Sequence, residues 1–416
     1  MELTAGGSMR KRLPGPGMIL GPATVVAVAY IDPGNFGTNI AAGSRFGLHL
    51  LWVVWISGFL AILFQYLSGK VGLATSASIV DLVGGFVNNR GYGRYARLLY
   101  FMAMMIMVLA TDMAEFLGIV LGLSYLFNIP LNIAIWLGIL DVLVLMIVAD
   151  RRISFETIIG SLVGVVGFSL LYEVLTIGID AKEVLRSSFI PERPSGEAML
   201  IAVSILGATV MPHALILHPY LAIERYGFDR GSGLRKHLRE TIAYLSIASL
   251  INASLQIMSN YAFHKNGYLN IDMDTAYIIL QPLYGWLSSA VFAIALLASG
   301  VSSSMVSILA GQKIVESWVG KKLTAWKLRL AVRLFNSVPL AIAIHMGIKP
   351  IDILVYSQAV LSLTLPLVVI PITVISMDKI HMGSMVNRKI TSILAIIGSI
   401  FIVGLNIWFL TSSIEH

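Results

Sequence analysis

The chain has 416 residues, 57% of them hydrophobic and only 12% charged, with a mean hydropathy of +0.84 and no cysteine. This is too apolar for a soluble globular domain, and it excludes disulfides, thiolate metal sites and cysteine nucleophiles. The net charge of +7 fits the basic loops of a membrane protein better than a nucleic-acid surface.

A membrane-crossing helix needs about 20 mainly apolar residues. Eleven such stretches are predicted in chain order, at 18–46, 48–71, 95–127, 131–149, 153–177, 197–223, 238–263, 277–315, 326–346, 351–377 and 391–411. The fold class is therefore an all-α membrane protein, with no room for a soluble catalytic domain. Residues 1–8 lack an apolar run and precede a second methionine, Met9. They are expected to be an added leader outside the fold, within a tail at 1–17, and no cleavable signal pattern is present.

The connectors orient the spans. With the N-terminus inside, Arg45, Lys182, Arg186, Arg193, Lys265 and Lys349 are the only six of 29 basic residues left outside. That bias predicts a cytoplasmic N-terminus, an external C-terminus and residence in the cell's inner membrane. It also makes the basic loop at 225–239 cytoplasmic.

Two spans are interrupted at mid-depth. Asp32-Pro33-Gly34-Asn35 breaks the first, and Met211-Pro212-His213 breaks the sixth. Proline removes a donor and clashes with the preceding turn, and unwound backbone at membrane depth survives only where it is buried in protein or lines a cavity. Breaks five spans apart predict two five-helix repeats of opposite orientation, at 18–177 and 197–377, with a site between the broken helices. Residues 178–196 then form an external loop, and 378–416 an eleventh helix and C-terminus.

An ionised Asp32 at that depth is expensive unless it is paired or ligating. Local capping of the broken helix is its bland alternative. Pro212 leaves the Ala208 carbonyl without its helical donor, free for a cation. Met211 would add a soft thioether and Asn35 an amide oxygen, a set suited to a mid-series divalent ion such as manganese(II) or iron(II). A lone methionine in an apolar helix is usually packing, and only its place beside the break distinguishes Met211 from the other 17.

Asp112 and Glu115 lie at i and i+3 on the third span, so both project from one face beside Thr111. They suit a proton relay, or a salt bridge to Arg225 or Arg333. His213 and His218 lie about 140° apart around an ideal helix and cannot share one site; a proton or gating role fits them better than metal ligation. Gln65, Asn252, Gln256 and Gln358 read as interhelical hydrogen-bonding glue. Asp141 and Glu173 have no evident partner.

Asp32-Pro33-Gly34-Asn35, Thr111-Asp112-Met113-Ala114-Glu115, Met211-Pro212-His213 and Ser357-Gln358-Ala359-Val360-Leu361-Ser362, in this order and spacing, resemble the Nramp family of divalent metal ion transporters. The resemblance spans the first to the tenth helix. It implies an inverted-repeat fold shared with amino-acid transporters, and import of manganese or iron with proton cotransport. By position it implies metal ligation by Asp32, Asn35, the Ala208 carbonyl and Met211, with Gln358 joining in some conformations. It implies a proton pathway through Asp32, Asp112, Glu115, His213, Arg225 and Arg333, with His218 and Gln65 as polar positions nearby. The match of Arg333 rests on its distance from Pro339. Retention of Met211 sets the chain apart from magnesium-transporting relatives that lack it.

Three other readings frame this one. An amino-acid symporter needs amides that hold a carboxylate, whereas this site presents acceptors. An intramembrane enzyme has no supporting motif, neither HExxH nor GxSxG. A passive metal channel is set aside by the resemblance alone. The expectation is therefore a transporter and not an enzyme, with no cofactor, with divalent metals and protons as substrates, no nucleic-acid partner, and function as a monomer in the bilayer.

Overall fold

In lipid every backbone polar group must find its partner within its own segment or a closed barrel, and these apolar stretches take the helical solution. The computed structural model describes residues 32–89, 93–143, 178–227, 230–277, 286–319 and 324–414. The N-terminal tail, the first half of span one, the end of span four and all of span five lie outside the described residues, with Arg151, Arg152 and Glu173.

The helices that position the site are α1 (Pro33–Phe46), α2 (Leu51–Thr75), α3 (Ile79–Asn89), α4 (Gly93–Phe127), α5 (Leu131–Gly138), α6 (Ala181–Phe189), α7 (Glu197–Val210), α8 (Pro212–Tyr226), α9 (Arg230–Ala262), α10 (Trp286–Val319), α11 (Ala325–His345), α12 (Pro350–Thr364), α13 (Pro366–Met377) and α14 (Lys389–Ile414). Among the described residues, eight helical stretches are long and apolar enough to cross a membrane, counting α7 with α8 and α12 with α13. The predicted span six is indeed split, at Met211.

Span ten, predicted to be continuous over 351–377, is also interrupted, at Leu365. Pro366 has no N–H to continue the ladder. Span seven starts earlier than predicted, at Arg230, because its polar first turns extend the helix beyond the apolar run.

Local chemistry sets several ends. Pro33 occupies the first turn of α1, where a missing donor costs nothing, and Asp32 caps it by accepting from Asn35 N at 2.8 Å. Ser78 and Asp81 form a reciprocal capping box at the start of α3.

At the centre, α7 packs on α12, α1 on α9, and α2 against both α8 and α9, while α10 runs beside α4. Small residues allow the closest approaches. A side chain at Gly207 would lie 2.0 Å from the Gln358 carbonyl oxygen, so α7 and α12 touch backbone to backbone there. Large apolar side chains such as Phe335, Val374 and Ile400 are exposed on the outer surface, as expected of faces that meet lipid.

Candidate metal site at two broken helices

The start of α1, where the sequence predicts the first break, and the break between α7 and α8 meet inside the molecule. Asp32 is 4% exposed, Met211 1% and Asn35 fully buried. Asp32 Oδ1 accepts from Asn35 N and, at 2.7 Å, from Asn35 Nδ2. The same Nδ2 donates at 3.0 Å to the Ala208 carbonyl, the one that Pro212 deprives of a helical donor. Capping and cross-linking thus coincide on Asp32 and Asn35, and one amide nitrogen joins the two breaks.

Asn35 is itself held. Its Oδ1 accepts from Thr209 Oγ1 and from Asn252 Nδ2, each at 3.1 Å. Neither residue was assigned to the site from sequence. Thr209 lay in view beside Ala208, whereas Asn252 is 217 residues from Asn35 and had been read as glue between helices. It is glue, applied to a predicted ligand.

Met211 adopts φ 47° and ψ 86°, left-handed backbone that a non-glycine residue rarely takes. This reversal, more than the proline alone, ends α7 and starts α8 in a new direction. Gln358 on α12 is buried against the α1 break: a side chain at Gly34 would meet its amide nitrogen at 2.2 Å and Asp32 Oδ2 at 2.9 Å. Both amide atoms of Gln358 lack a hydrogen-bond partner. The five predicted ligand positions therefore gather at the two breaks. Among the described residues no group of three or more His, Asp or Glu side chains could hold a metal, so a cation here has to draw on amide, carbonyl and thioether donors as well as Asp32.

At one end of α1, Arg45 bridges Glu197 at the start of α7 (2.5 Å) and Asp352 near the start of α12 (2.6 Å). These pairs tie α1, α7 and α12 together at that end.

A second polar group lies between α4, α10 and α11. Arg333 Nη1 bonds Asp112 Oδ1 at 2.6 Å, and Asn336 Nδ2 donates to Asp112 Oδ2 at 2.8 Å. Glu115 accepts from Ser307 Oγ on α10, and its other oxygen is buried without a partner. The salt-bridge and relay readings of the third span are therefore compatible. Arg333 is the partner expected for Asp112. Arg225 is not: it ends α8 and pairs with Glu240 at 3.8 Å, because the last turn of α8 faces α9. Asp141, read from sequence as partnerless, pairs with both Arg329 and Arg333. Two arginines at i and i+4 on an apolar span were the signal, since each needs an acid.

His213 and His218 point apart, as their spacing required. His213 Nδ1 lies 3.3 Å from Thr111 Oγ1 on α4, and its Nε2 is buried without a partner. The His218 ring packs 4.9 Å from His237 of α9. Gln65 is buried on α2 one turn from Gly69, which abuts both of those rings.

The family model described as natural resistance-associated macrophage protein-like matches residues 23–412. A divalent metal cation transporter MntH of Acidiphilium cryptum is 38% identical over 399 residues, covering 94% of this chain and 90% of the relative. One from Yersinia pestis is 36% identical, covering 95% of each. Among solved structures, the Eremococcus coleocola manganese transporter in complex with an aromatic bis-isothiourea substituted compound superposes with a TM-score of 0.80 at 27% identity, over 97% of this chain and 88% of that one. MhsT in complex with L-phenylalanine, at 16% identity and a TM-score of 0.65 over 94% of this chain and 97% of that one, shares the fold.

Proposed function

The chain belongs to the Nramp family of divalent metal cation transporters, and from that premise we propose that it imports manganese(II) or iron(II) together with protons, by alternating access. One observation carries the reading. Asn35 Nδ2 sits 2.7 Å from the Asp32 carboxylate and 3.0 Å from the Ala208 carbonyl. Acceptors from the start of α1 and from the α7–α8 break thus converge on one point, where a cation can replace the amide hydrogens.

Rotating the Asn35 amide would exchange Nδ2 for Oδ1 and turn the cross-link into a third ligand. The change need not orphan its neighbours. Asn252 Oδ1 is buried without a partner, so a matching rotation of Asn252 lets it accept from Asn35, and the Thr209 hydroxyl can accept as readily as donate. Gln358 has two unpartnered amide atoms beside Asp32 and supplies a further oxygen. Met211 brings the soft donor that favours transition metals over calcium or magnesium.

Metal binding at Asp32 releases its proton. His213, two residues beyond Met211 and hydrogen-bonded to Thr111, links the site to Asp112 and Glu115. Arg333 anchors that path, and His218 and Gln65 lie beside it. The Thr111 hydroxyl hydrogen is given to Met107 O at 2.9 Å. The His213 contact is then an Nδ1–H donation that leaves Nε2 as the acceptor for the moving proton. With the N-terminus in the cytoplasm of an inner-membrane monomer, the Arg45 bridge shuts the external side and the gradient drives accumulation. Each charge moved is worth about 2.3 kcal/mol per 100 mV.

The test is manganese uptake into proteoliposomes. Asp32→Ala is expected to abolish it while the protein stays folded, and normal uptake by that variant would overturn the proposal.

A further inference from the structure

Arg333 is fully buried and divides its guanidinium between two acids on different helices. Nη1 bonds Asp112 Oδ1 at 2.6 Å, while Nη2 bonds Asp141 Oδ2 at 2.8 Å and Ser304 Oγ at 2.7 Å. The plane lies 4.9 Å over the Phe116 ring. Asp141, where the helix resumes after the turn that ends α5, also takes Arg329 Nη2. Arg329 is 1% exposed, its Nε and Nη1 have no hydrogen-bond partner, and among the described residues Asp141 is the acid it pairs with.

The groups facing Asp141 can be counted element by element. From α11 come Arg329 and Arg333, from α4 Asp112 with Glu115 one turn on, and from α10 the neutral Ser304. Among the described residues the two guanidiniums pair with two carboxylates, Asp112 and Asp141, while Glu115 accepts from Ser307 and pairs with neither. A proton that lands on Asp112 upsets that balance, and Arg333 would be free to swing away if Asp112 were its only anchor.

We propose that Asp141 is a positioning residue of the proton path, a standing counter-charge that keeps Arg333 in place while Asp112 gains and loses its proton. This rests on the proton-coupled reading above. Its physical content is charge arithmetic in a buried site, where removing one partner leaves the other charge uncompensated. Neutralising Asp141 leaves two guanidiniums facing Asp112 alone, so protonating Asp112 then strands both of them. Neutralising Arg329 acts with the opposite sign.

The experiment measures manganese uptake and metal-driven acidification of proteoliposomes across a pH series, for wild type, Asp141→Asn, Asp141→Glu, Arg329→Gln and the Asp141→Asn/Arg329→Gln double variant. The midpoint of the pH profile is expected to move by about one unit to lower pH in Asp141→Asn, a shift corresponding to about 1.4 kcal/mol. It should move to higher pH in Arg329→Gln, and return towards wild type in Asp141→Glu and in the double variant. If Asp141→Asn does not fold, the Arg329→Gln shift still decides. Midpoints unchanged in both single variants, with only the melting temperature lowered, would make Asp141 a structural cross-link and overturn the proposal. A wild-type protein that moves metal without acidifying the vesicles would instead overturn the proton-coupled reading, and this inference with it.

Discussion

Two proline breaks in this molecule share one solution and differ in outcome. At Pro366 the carbonyl that loses its usual helical donor, Ser362 O, accepts from Leu365 N at 3.1 Å and from Asn406 Nδ2 of α14 at 2.9 Å, and Ser362 Oγ donates back to Asn406 Oδ1. At Pro212 the orphaned carbonyl, Ala208 O, accepts from Asn35 Nδ2 of α1. Each break is thus repaired by an asparagine from a neighbouring helix, as burial in lipid requires.

The repair at Pro366 is neutral and reciprocal, and Leu365 stays in right-handed helical backbone at φ −51° and ψ −44°. The repair at Pro212 is shared with a carboxylate, and Met211 is forced left-handed. A proline alone makes a kink. A proline with a carboxylate across from it and a strained turn is the arrangement at which we propose that a cation binds.

After Asp32→Ala, the largest expected effect comes from Gly207→Ala. The added methyl would lie 2.0 Å from the Gln358 carbonyl oxygen and 2.7 Å from Ser362 N, backbone atoms that cannot turn aside. Separating α7 from α12 pulls Gln358 off the α1 break, and manganese uptake should fall by about 100-fold, the scale of loss for a site displaced by an ångström. The control sits near the other break: Gly404 on α14 has nothing within 4 Å of an added side chain. Gly404→Ala should transport normally and melt no lower than wild type, since alanine is the better helix former by about 1 kcal/mol. Equal uptake by the two variants would remove the distinction drawn between the breaks.

Much of this was legible in the residues. Asp32-Pro33-Gly34-Asn35 announces itself because a charge beside a helix breaker in an apolar run has few physical excuses. The inverted pairing of spans one and six followed from where the breaks fall. Pro366 was equally visible but carries no charge, so span ten read as continuous. The left-handed turn at Met211 was hidden, because methionine has no turn signature and the two halves pack on different partners, α7 on α12 and α8 on α2. Asn252 and Asp141 were hidden for another reason. Each is a single polar residue whose partner lies on a helix distant in sequence, and no local periodicity reports such pairs.

Replacing each repairing asparagine separates structure from function. Asn406→Leu leaves the buried Ser362 hydroxyl without its acceptor and the Ser362 carbonyl with the Leu365 N–H alone, and should lower stability by about 1–3 kcal/mol, with manganese uptake within about twofold of wild type once the protein is reconstituted. Asn35→Leu should cost a similar amount in thermal unfolding but also reduce uptake by about tenfold or more, a loss of about 1.4 kcal/mol per factor of ten. Uptake lost in both variants, or in neither, would mean that the two repairs serve the same purpose.

The smallest and sharpest contrast compares glycine with alanine at the two turning points. In right-handed helix glycine is less stable than alanine by about 1 kcal/mol, so Leu365→Gly should melt below Leu365→Ala. In left-handed backbone the order reverses, because a β-carbon costs about 1–2 kcal/mol there and glycine pays nothing. Met211→Gly should therefore melt above Met211→Ala, although both lose the same buried thioether. Both Met211 variants should also begin to carry calcium, since the soft donor is gone. The stability order tests the strained backbone and the calcium flux tests the thioether, so the two contributions of Met211 are measured on one pair of proteins. If Met211→Gly melts below Met211→Ala, the turn is not strained, and the break at Pro212 would differ from the one at Pro366 only in the carboxylate that faces it.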